Sequence, residues 1–139
     1  MMYLVDFAGT LFDTAAYEHR KGDPALFLYP DGATFLREKE NSVLIVTAMD
    51  KERDSEFVQN TLSGIPRMSV MYTNGKLKGE YLAPYISMYG QAPVFVDDSV
   101  DHLVSMALHC PNVQLFEMRR DGREGDGRWP VVHTLGELP

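Results

Sequence analysis

The stretch Tyr3-Leu4-Val5-Asp6-Phe7-Ala8-Gly9-Thr10-Leu11-Phe12-Asp13 decides how the rest of this chain is read. Apolar residues of strand character run into a carboxylate, and the chain breaks at once into Gly9-Thr10. A buried strand ending on Asp6 exposes that side chain at its C-terminal end, which in open α/β sheets borders the ligand crevice. A carboxylate fixed there can serve as a nucleophile or as a metal ligand. The same stretch lacks something: Ala8 stands where a second carboxylate would complete a general acid/base pair.

Apolar runs of strand length recur at Tyr3 to Val5, Val43 to Val46, Met68 to Tyr72, Pro93 to Val96 and Val113 to Phe116. Between them lie segments of helical pattern, roughly Gly32 to Glu40, Lys51 to Leu62, Gly79 to Tyr89 and Val100 to Leu108, with apolar residues such as Phe57, Val58 and Leu62 at helical spacing. Strands alternating with helices imply right-handed crossovers and a parallel sheet covered on both faces. The expected fold is a three-layer, Rossmann-like α/β domain with a central parallel sheet of about five strands. Arg119 to Arg128, rich in Arg, Asp and Gly, reads as an exposed loop before a closing segment, Trp129 to Leu138.

The 139 residues fit one domain spanning residues 1–139. A hydrophobic content of 45% with 24% charged residues is ordinary for a soluble protein, so an enzyme or a binding module is the default. The net charge of -7 argues against bulk nucleic-acid binding, since polyanions are repelled. Cys110 is the only cysteine, which excludes an internal disulfide and thiolate metal clusters. No export signal and no run of roughly 18 apolar residues is found, so no membrane association and a cytoplasmic location are expected. Neither repeats nor low-complexity tracts occur.

Three further polar positions can converge on Asp6. Val43 to Val46 ends on Thr47, Val94 to Val96 ends on Asp97-Asp98, and Lys78 precedes the helix leading into the latter strand. A nucleophilic carboxylate, a hydroxyl donor, a cation and paired acidic groups suit phosphoryl transfer, where catalysis is mostly positioning and charge neutralisation. Plainer roles stand beside these. Thr47 or Asp50 could cap the next helix, Lys76 competes with Lys78, and Asp98 or Ser99 could cap the helix beginning near Val100. Adjacent carboxylates at a buried strand end nevertheless repel unless a cation or donors compensate them. Asp13 is expected to brace the loop, and Asp101 to add first-turn charge favoured by the helix dipole. His19, His102, His109 and His133 are scattered and outline no zinc site, and Met68 and Met71 read as core packing.

In order along the chain, Asp6-Phe7-Ala8-Gly9-Thr10-Leu11, Thr47 after its apolar strand, Lys78-Gly79-Glu80-Tyr81-Leu82 and Val96-Asp97-Asp98-Ser99 resemble the four motifs of the haloacid dehalogenase-like (HAD) superfamily. The resemblance implies that Asp6 attacks phosphorus and that Thr47 and Lys78 hold the phosphoryl oxygens. It implies Mg²⁺ held by Asp6, Asp97, Asp98 and the backbone carbonyl of Ala8, with Asp97 facing the metal and Asp98 fixing the loop. Such hard oxygen ligands suit Mg²⁺. Family phosphatases usually carry an acid/base Asp where this chain has Ala8, and such help contributes about 10² to 10⁴ in rate. The expected activity is therefore a Mg²⁺-dependent phosphohydrolase acting through an aspartyl phosphate and slow on alkyl phosphates. A leaving group needing little protonation, such as an acyl or aryl phosphate, or a proton from another residue would relieve the deficit. The alternative is a catalytically weakened phosphate-binding or regulatory protein.

Asp-x-Ala-Gly-Thr is also similar to the first motif of phosphonoacetaldehyde hydrolases, but those need a cap-domain lysine, and only residues 14–42 separate the first two motifs here. Capless relatives often act on bulky or macromolecular phosphates, or borrow a neighbouring subunit as a lid, so the partner is a phosphorylated substrate of either size and a homo-oligomer fits. Phe12 to Tyr29, with Asp13, Tyr17, His19, Arg20 and Lys21, is expected to form a flap that contacts substrate.

Overall fold

The first apolar run becomes β1 (Tyr3–Asp6), and every residue of it is buried. Leu4 and Val5 project to opposite faces of a strand and enter two different cores. The computed structural model describes residues 1–65 and 67–139. β1 pairs in parallel with β2 (Val43–Thr47) on one side and with β4 (Val94–Asp97) on the other. β3 (Ser69–Tyr72) extends the sheet beyond β2, and β5 (Gln114–Met118) extends it beyond β4.

The parallel sheet expected with about five strands has six among the described residues, in the order β3-β2-β1-β4-β5-β6, where β6 is the pair Val131–Val132 of the closing segment. β6 joins in parallel with Glu117 opposite Val131 and Met118 opposite Val132. Two residues make no readable apolar run, so this strand exists only through its pairing with β5.

Among the described residues five helices connect the strands: α1 (Thr14–Arg20), α2 (Pro30–Glu38), α3 (Lys51–Thr61), α4 (Lys78–Ile86) and α5 (Val100–His109). α2 begins at Pro30, two residues before the expected Gly32, because proline is favoured in a first turn where its missing N–H is not needed. One core packs Val5, Phe7, Phe35, Leu36, Ile45 and Val58. The other packs Leu4, Phe95, Leu82, Leu103 and Met106 beneath α4 and α5. Met68 and Met71 are partly buried against these two cores, as core packing requires. Full burial of each such aliphatic or aromatic side chain contributes about 1.5–3 kcal/mol, which fixes the sheet between its helical layers.

Among the described residues no helix is long and apolar enough to cross a membrane. The segment between β1 and β2 holds only α1, a 3₁₀ turn at Pro24–Phe27 and α2, and no large cap is inserted there. Register places the chemistry: Asp6 lies opposite Val46, one residue before Thr47, and Asp97 follows Val96, the partner of Val5. Asp6, Thr47 and Asp97 therefore end three adjacent parallel strands on one edge of the sheet.

Candidate active site

After Asp6 the chain makes a tight loop in which the N–H groups of Leu11 and Phe12 donate to the Phe7 carbonyl at 2.9 and 3.0 Å. Gly9 holds φ at +80°, and a Cβ added there would lie 2.1 Å from Asp98 Oδ2. The left-handed backbone favours glycine at this position, and Asp98 fills the space a side chain would take. The loop also orders Asp6, because the Thr10 hydroxyl donates to Asp6 Oδ2 at 3.1 Å. Arg120 braces it from behind, donating to the Thr10 carbonyl at 2.7 and 3.1 Å and to Asp31 Oδ1 at 2.8 Å.

Lys78 is the first residue of α4 and only 1% exposed. Its ammonium donates to Asp6 Oδ1 and to Asp97 Oδ2, each at 2.6 Å. The approach is set by the residue after it: a Cβ on Gly79 would lie 2.1 Å from the Ser105 carbonyl oxygen, so α4 can close on α5 only with glycine there. Two backbone bonds pin the junction, from the Lys78 N–H to His102 Nδ1 at 3.3 Å and from the Gly79 N–H to the Ser105 hydroxyl at 3.0 Å. Lys76, the competing lysine, is exposed, and its backbone bonds Thr73, the Lys76 N–H donating to the Thr73 carbonyl and the Lys76 carbonyl accepting from the Thr73 hydroxyl.

Both oxygens of Asp97 are engaged, Oδ2 by Lys78 and Oδ1 by the Ser99 N–H at 2.9 Å. Asp97 thus anchors the loop that the sequence reading assigned to Asp98. Asp98 is half-buried and lies over Gly9. Ser99 caps α5 by accepting the His102 N–H. Oxygen atoms of Asp6, Asp97 and Asp98 all lie within 4.8 Å of one another, and among the described residues they are the one cluster of this kind.

The electrostatics follow from three carboxylates facing one ammonium. Burial alone would raise Asp6, but the charge of Lys78, with hydrogen bonds from Asp98 and Lys78, holds its carboxyl below the usual range. Asp97 is pushed up to about 7 by burial and by the charge of Asp6. Asp98 is pushed up to about 8 by burial, by its hydrogen bond to Asp6 and by the Asp6 charge. Burial works against the Lys78 charge, yet Asp6 and Asp97 together raise its affinity for the proton. His102 is lowered by burial and by Lys78, so it is neutral and its Nδ1 can accept from the Lys78 N–H.

Thr47 is 2% exposed, and its hydroxyl accepts the Met49 N–H at 3.3 Å. It does not cap α3, because Asp50 does, accepting the Arg53 N–H at 3.0 Å. A cleft of about 380 Å³ is lined by Asp6, Ala8, Thr47, Lys78, Asp97 and Asp98, together with Arg53 and His102. Every residue singled out in the sequence for the phosphoryl and metal sites therefore borders one cleft. At Ala8 the loop bonds pass on either side, through the Phe7 carbonyl and the Gly9 N–H, and no backbone donor among the described residues takes its carbonyl.

Of the expected flap, Asp13, Thr14, Ala15 and Tyr29 border a cleft that adjoins this one, whereas Tyr17, His19, Arg20 and Lys21 border neither. Tyr17 stacks edge-on with Phe27 and Phe57 at 5.3 Å in a cluster centred on Phe12, and this apolar packing holds the segment down as α1. Arg20 lies over Phe27 and Lys21 over Tyr17, while His19 is exposed, and none of these four side chains borders the cleft. Asp13 caps α1 by accepting the Ala16 N–H at 3.1 Å. Arg53 and His102 also border the cleft, although nothing in the sequence marks either for it. His102 carries no local signal, since its role depends on the closeness of two helices.

A parallel sheet in the order β3-β2-β1-β4-β5-β6, with a carboxylate ending β1 and its partners on neighbouring strand ends, is an arrangement the chain shares with solved structures. The crystal structure of a dehalogenase superposes on the chain with a TM-score of 0.67 at 13% identity, covering 98% of this chain and 94% of that one. The UTR4 protein (Unknown transcript 4 protein) of Saccharomyces cerevisiae superposes with a TM-score of 0.65 at 11% identity, covering 99% of both chains. At these identities the likeness is one of fold. No family model and no curated protein sequence matches the chain.

Proposed function

We propose that this chain is a Mg²⁺-dependent phosphohydrolase that works through an aspartyl phosphate on Asp6. The observation that carries the reading is the Asp6–Lys78–Asp97 contact set at 2.6 Å beside Asp98, at the C-terminal edge of a parallel sheet. The pKa of Asp6 is held low, so its carboxylate is ionised and able to attack phosphorus. Lys78 offsets the repulsion between that carboxylate and an incoming phosphate; a unit charge pair 4 Å apart is worth about 4 kcal/mol at an effective dielectric of 20. Thr47 offers a hydroxyl from the neighbouring strand end to a phosphoryl oxygen.

The donor set fits a hard divalent cation. Three carboxylates against one ammonium leave an excess of negative charge, and the high proton affinities of Asp97 and Asp98 are the mark of that excess. Asp6, Asp98 and the Ala8 carbonyl, with Asp97 beside them, would hold Mg²⁺. The ion would neutralise charge on the phosphoryl oxygens.

Ala8 cannot protonate a leaving oxygen or deprotonate water. Alkyl phosphates, whose alkoxide leaving groups need a proton, are therefore poor substrates, and phosphorylated compounds with good leaving groups are the preferred class. A second reading, a phosphate-binding or regulatory protein that keeps the fold and the cation site, draws its support from the same alanine. Hydrolysis of p-nitrophenyl phosphate and acetyl phosphate by the wild type and Asp6→Asn, each with Mg²⁺ and with chelator, decides between them. Turnover requiring both Asp6 and Mg²⁺ is expected; turnover absent, or equal in Asp6→Asn, leaves the binding reading.

A further inference from the structure

A second cleft, of about 450 Å³, adjoins the first, and the two share Ala8 and Asp98 in their walls. Beyond that boundary it is lined by Thr14, Ala15, Tyr29, Met118 and Arg119. We infer that this second cleft is the leaving-group subsite and that it receives the acyl part of an acyl phosphate, a carboxylic–phosphoric anhydride. This rests on the phosphohydrolase reading given above and names the substrate class for that same site.

The first observation is the junction. Ala8 stands in the wall common to both clefts, and its side chain is a methyl group. An aspartate would add a carboxylate to the boundary between the two clefts. The methyl group donates no proton and leaves the boundary between the two clefts open, which fits a leaving group that needs room and no proton.

The second observation is an accounting of polar atoms. Among the described residues, two buried side-chain polar atoms lack a hydrogen-bond partner, Thr14 Oγ1 and Arg119 Nε, and both residues line this cleft. Buried groups without partners are uncommon, and two in the wall of one cleft point to a ligand acceptor. Arg119 is loosely held, with guanidinium nitrogens 3.3 Å from Asp121 and 3.8 Å from Glu117. Its neighbour Arg120 is committed to Thr10 and Asp31 and lies over the Tyr29 ring.

An N–H of a guanidinium and a hydroxyl are the donors a departing carboxylate accepts from, and charge assistance strengthens such bonds. Asp13, Asp98 and Asp121 also border the cleft and disfavour a leaving group carrying several negative charges, such as a di- or triphosphate. The apolar lining residues Ala8, Ala15 and Met118 suit the carbon part of an acyl group.

The chemistry balances without a proton donor. An Asp6 oxygen forms a bond to phosphorus, the bond between phosphorus and the acyl oxygen breaks, and its electron pair leaves with the carboxylate. Water then attacks phosphorus, the bond to Asp6 breaks and its electron pair returns to the carboxylate; the water's proton passes to phosphate or solvent. The sum is acyl phosphate plus water giving carboxylate, inorganic phosphate and a proton.

The test compares kcat/KM on benzoyl phosphate and p-nitrophenyl phosphate for the wild type, Thr14→Val and Arg119→Gln, with Asp6→Asn as the control. Hydrogen bonds to a charged group support a loss of about 10- to 100-fold on benzoyl phosphate in each cleft variant. On p-nitrophenyl phosphate, whose leaving charge spreads into the nitro group, the loss is expected to be much smaller. Thr14→Val is nearly isosteric and removes a hydroxyl with no partner, so an unchanged melting temperature accompanies the expected loss. Asp6-dependent turnover that is equal in wild type and both cleft variants overturns the subsite while leaving the phosphohydrolase reading intact. A larger loss on the aryl than on the acyl substrate overturns the acyl assignment. Absence of Asp6-dependent turnover on either substrate overturns the parent reading and this inference with it.

Discussion

Lys78→Met removes the one ammonium that compensates the carboxylate cluster while keeping most of the side-chain volume. Lys78 is 1% exposed and contacts Asp6 and Asp97 at 2.6 Å each, so its loss leaves buried carboxylates without their partner. Breaking a buried pair by removing one member costs about 3–5 kcal/mol. For a domain of this size each kcal/mol shifts the melting temperature by about 4 °C, so a drop of about 12–20 °C is expected at pH 8. At pH 5 the drop is smaller, because carboxyls with raised proton affinity carry their protons and need no counter-charge.

The wild type has a pH dependence of the same origin. Asp97 and Asp98 are raised to about 7 and about 8, so their contribution to stability is fully present below the ordinary carboxylate pKa and is lost as pH rises through 7 to 8. Asp6 is lowered, and its contribution is lost only on acidification below 3.8. Calorimetric unfolding of wild type and Lys78→Met at pH 5 and pH 8, with chelator and with Mg²⁺, measures these effects. A variant melting within about 2 °C of wild type at pH 8 in chelator would refute the reasoning, since it would mean that the cluster carries no unpaired charge when the lysine is gone.

Three other outcomes follow from the same geometry. Gly9→Ala forces a side chain onto a +80° φ and into Asp98, and should cost about 1–3 kcal/mol and abolish Mg²⁺ binding by calorimetry; unchanged binding would contradict the close approach. Mg²⁺ affinity should rise steadily from pH 6 to pH 8.5 with release of protons, because Asp97 and Asp98 must lose them to bind; isothermal titration in buffers of different ionisation enthalpy reads that release, and a flat profile would contradict it. His102→Ala leaves the Lys78 N–H without its acceptor and should lower stability by about 1 kcal/mol in urea unfolding, with kcat reduced more than KM is raised; no change in either would separate His102 from the placement of Lys78.

The parts of the fold that were legible in the sequence are those specified locally. Leu4-Val5, Val43 to Val46 and Val94 to Val96 are apolar runs that can only be buried, and the turn after Asp6 fixes where the first of them ends. Lys78 is set apart from Lys76 by the Gly79-x-x-Leu82 that follows it, and the structure gives the reason in the close contact of Gly79 with Ser105 and the burial of Leu82 in the core. What could not be read depends on contacts between distant residues. β6 is two residues whose only signature is pairing with Glu117 and Met118. α1 is held by Tyr17 against Phe27 and Phe57, an aromatic cluster invisible in its own sequence. Which of two adjacent carboxylates anchors the loop is decided by the reach of Lys78 and the Ser99 N–H, and neither is encoded in the pattern Asp97-Asp98.

The central claim is that Asp6 is a nucleophile, and the most direct measurement is covalent phosphorylation of that residue. Loss of a general base at position 8 slows the second step, attack of water on the aspartyl phosphate, so the intermediate should accumulate. Wild type and Asp6→Asn are incubated with acetyl phosphate and Mg²⁺, quenched in acid, and read by intact mass and peptide mapping. The account predicts one added phosphoryl group on the peptide containing Asp6 in the wild type and none in Asp6→Asn. An unlabelled wild type, or a label that persists in Asp6→Asn, would contradict it.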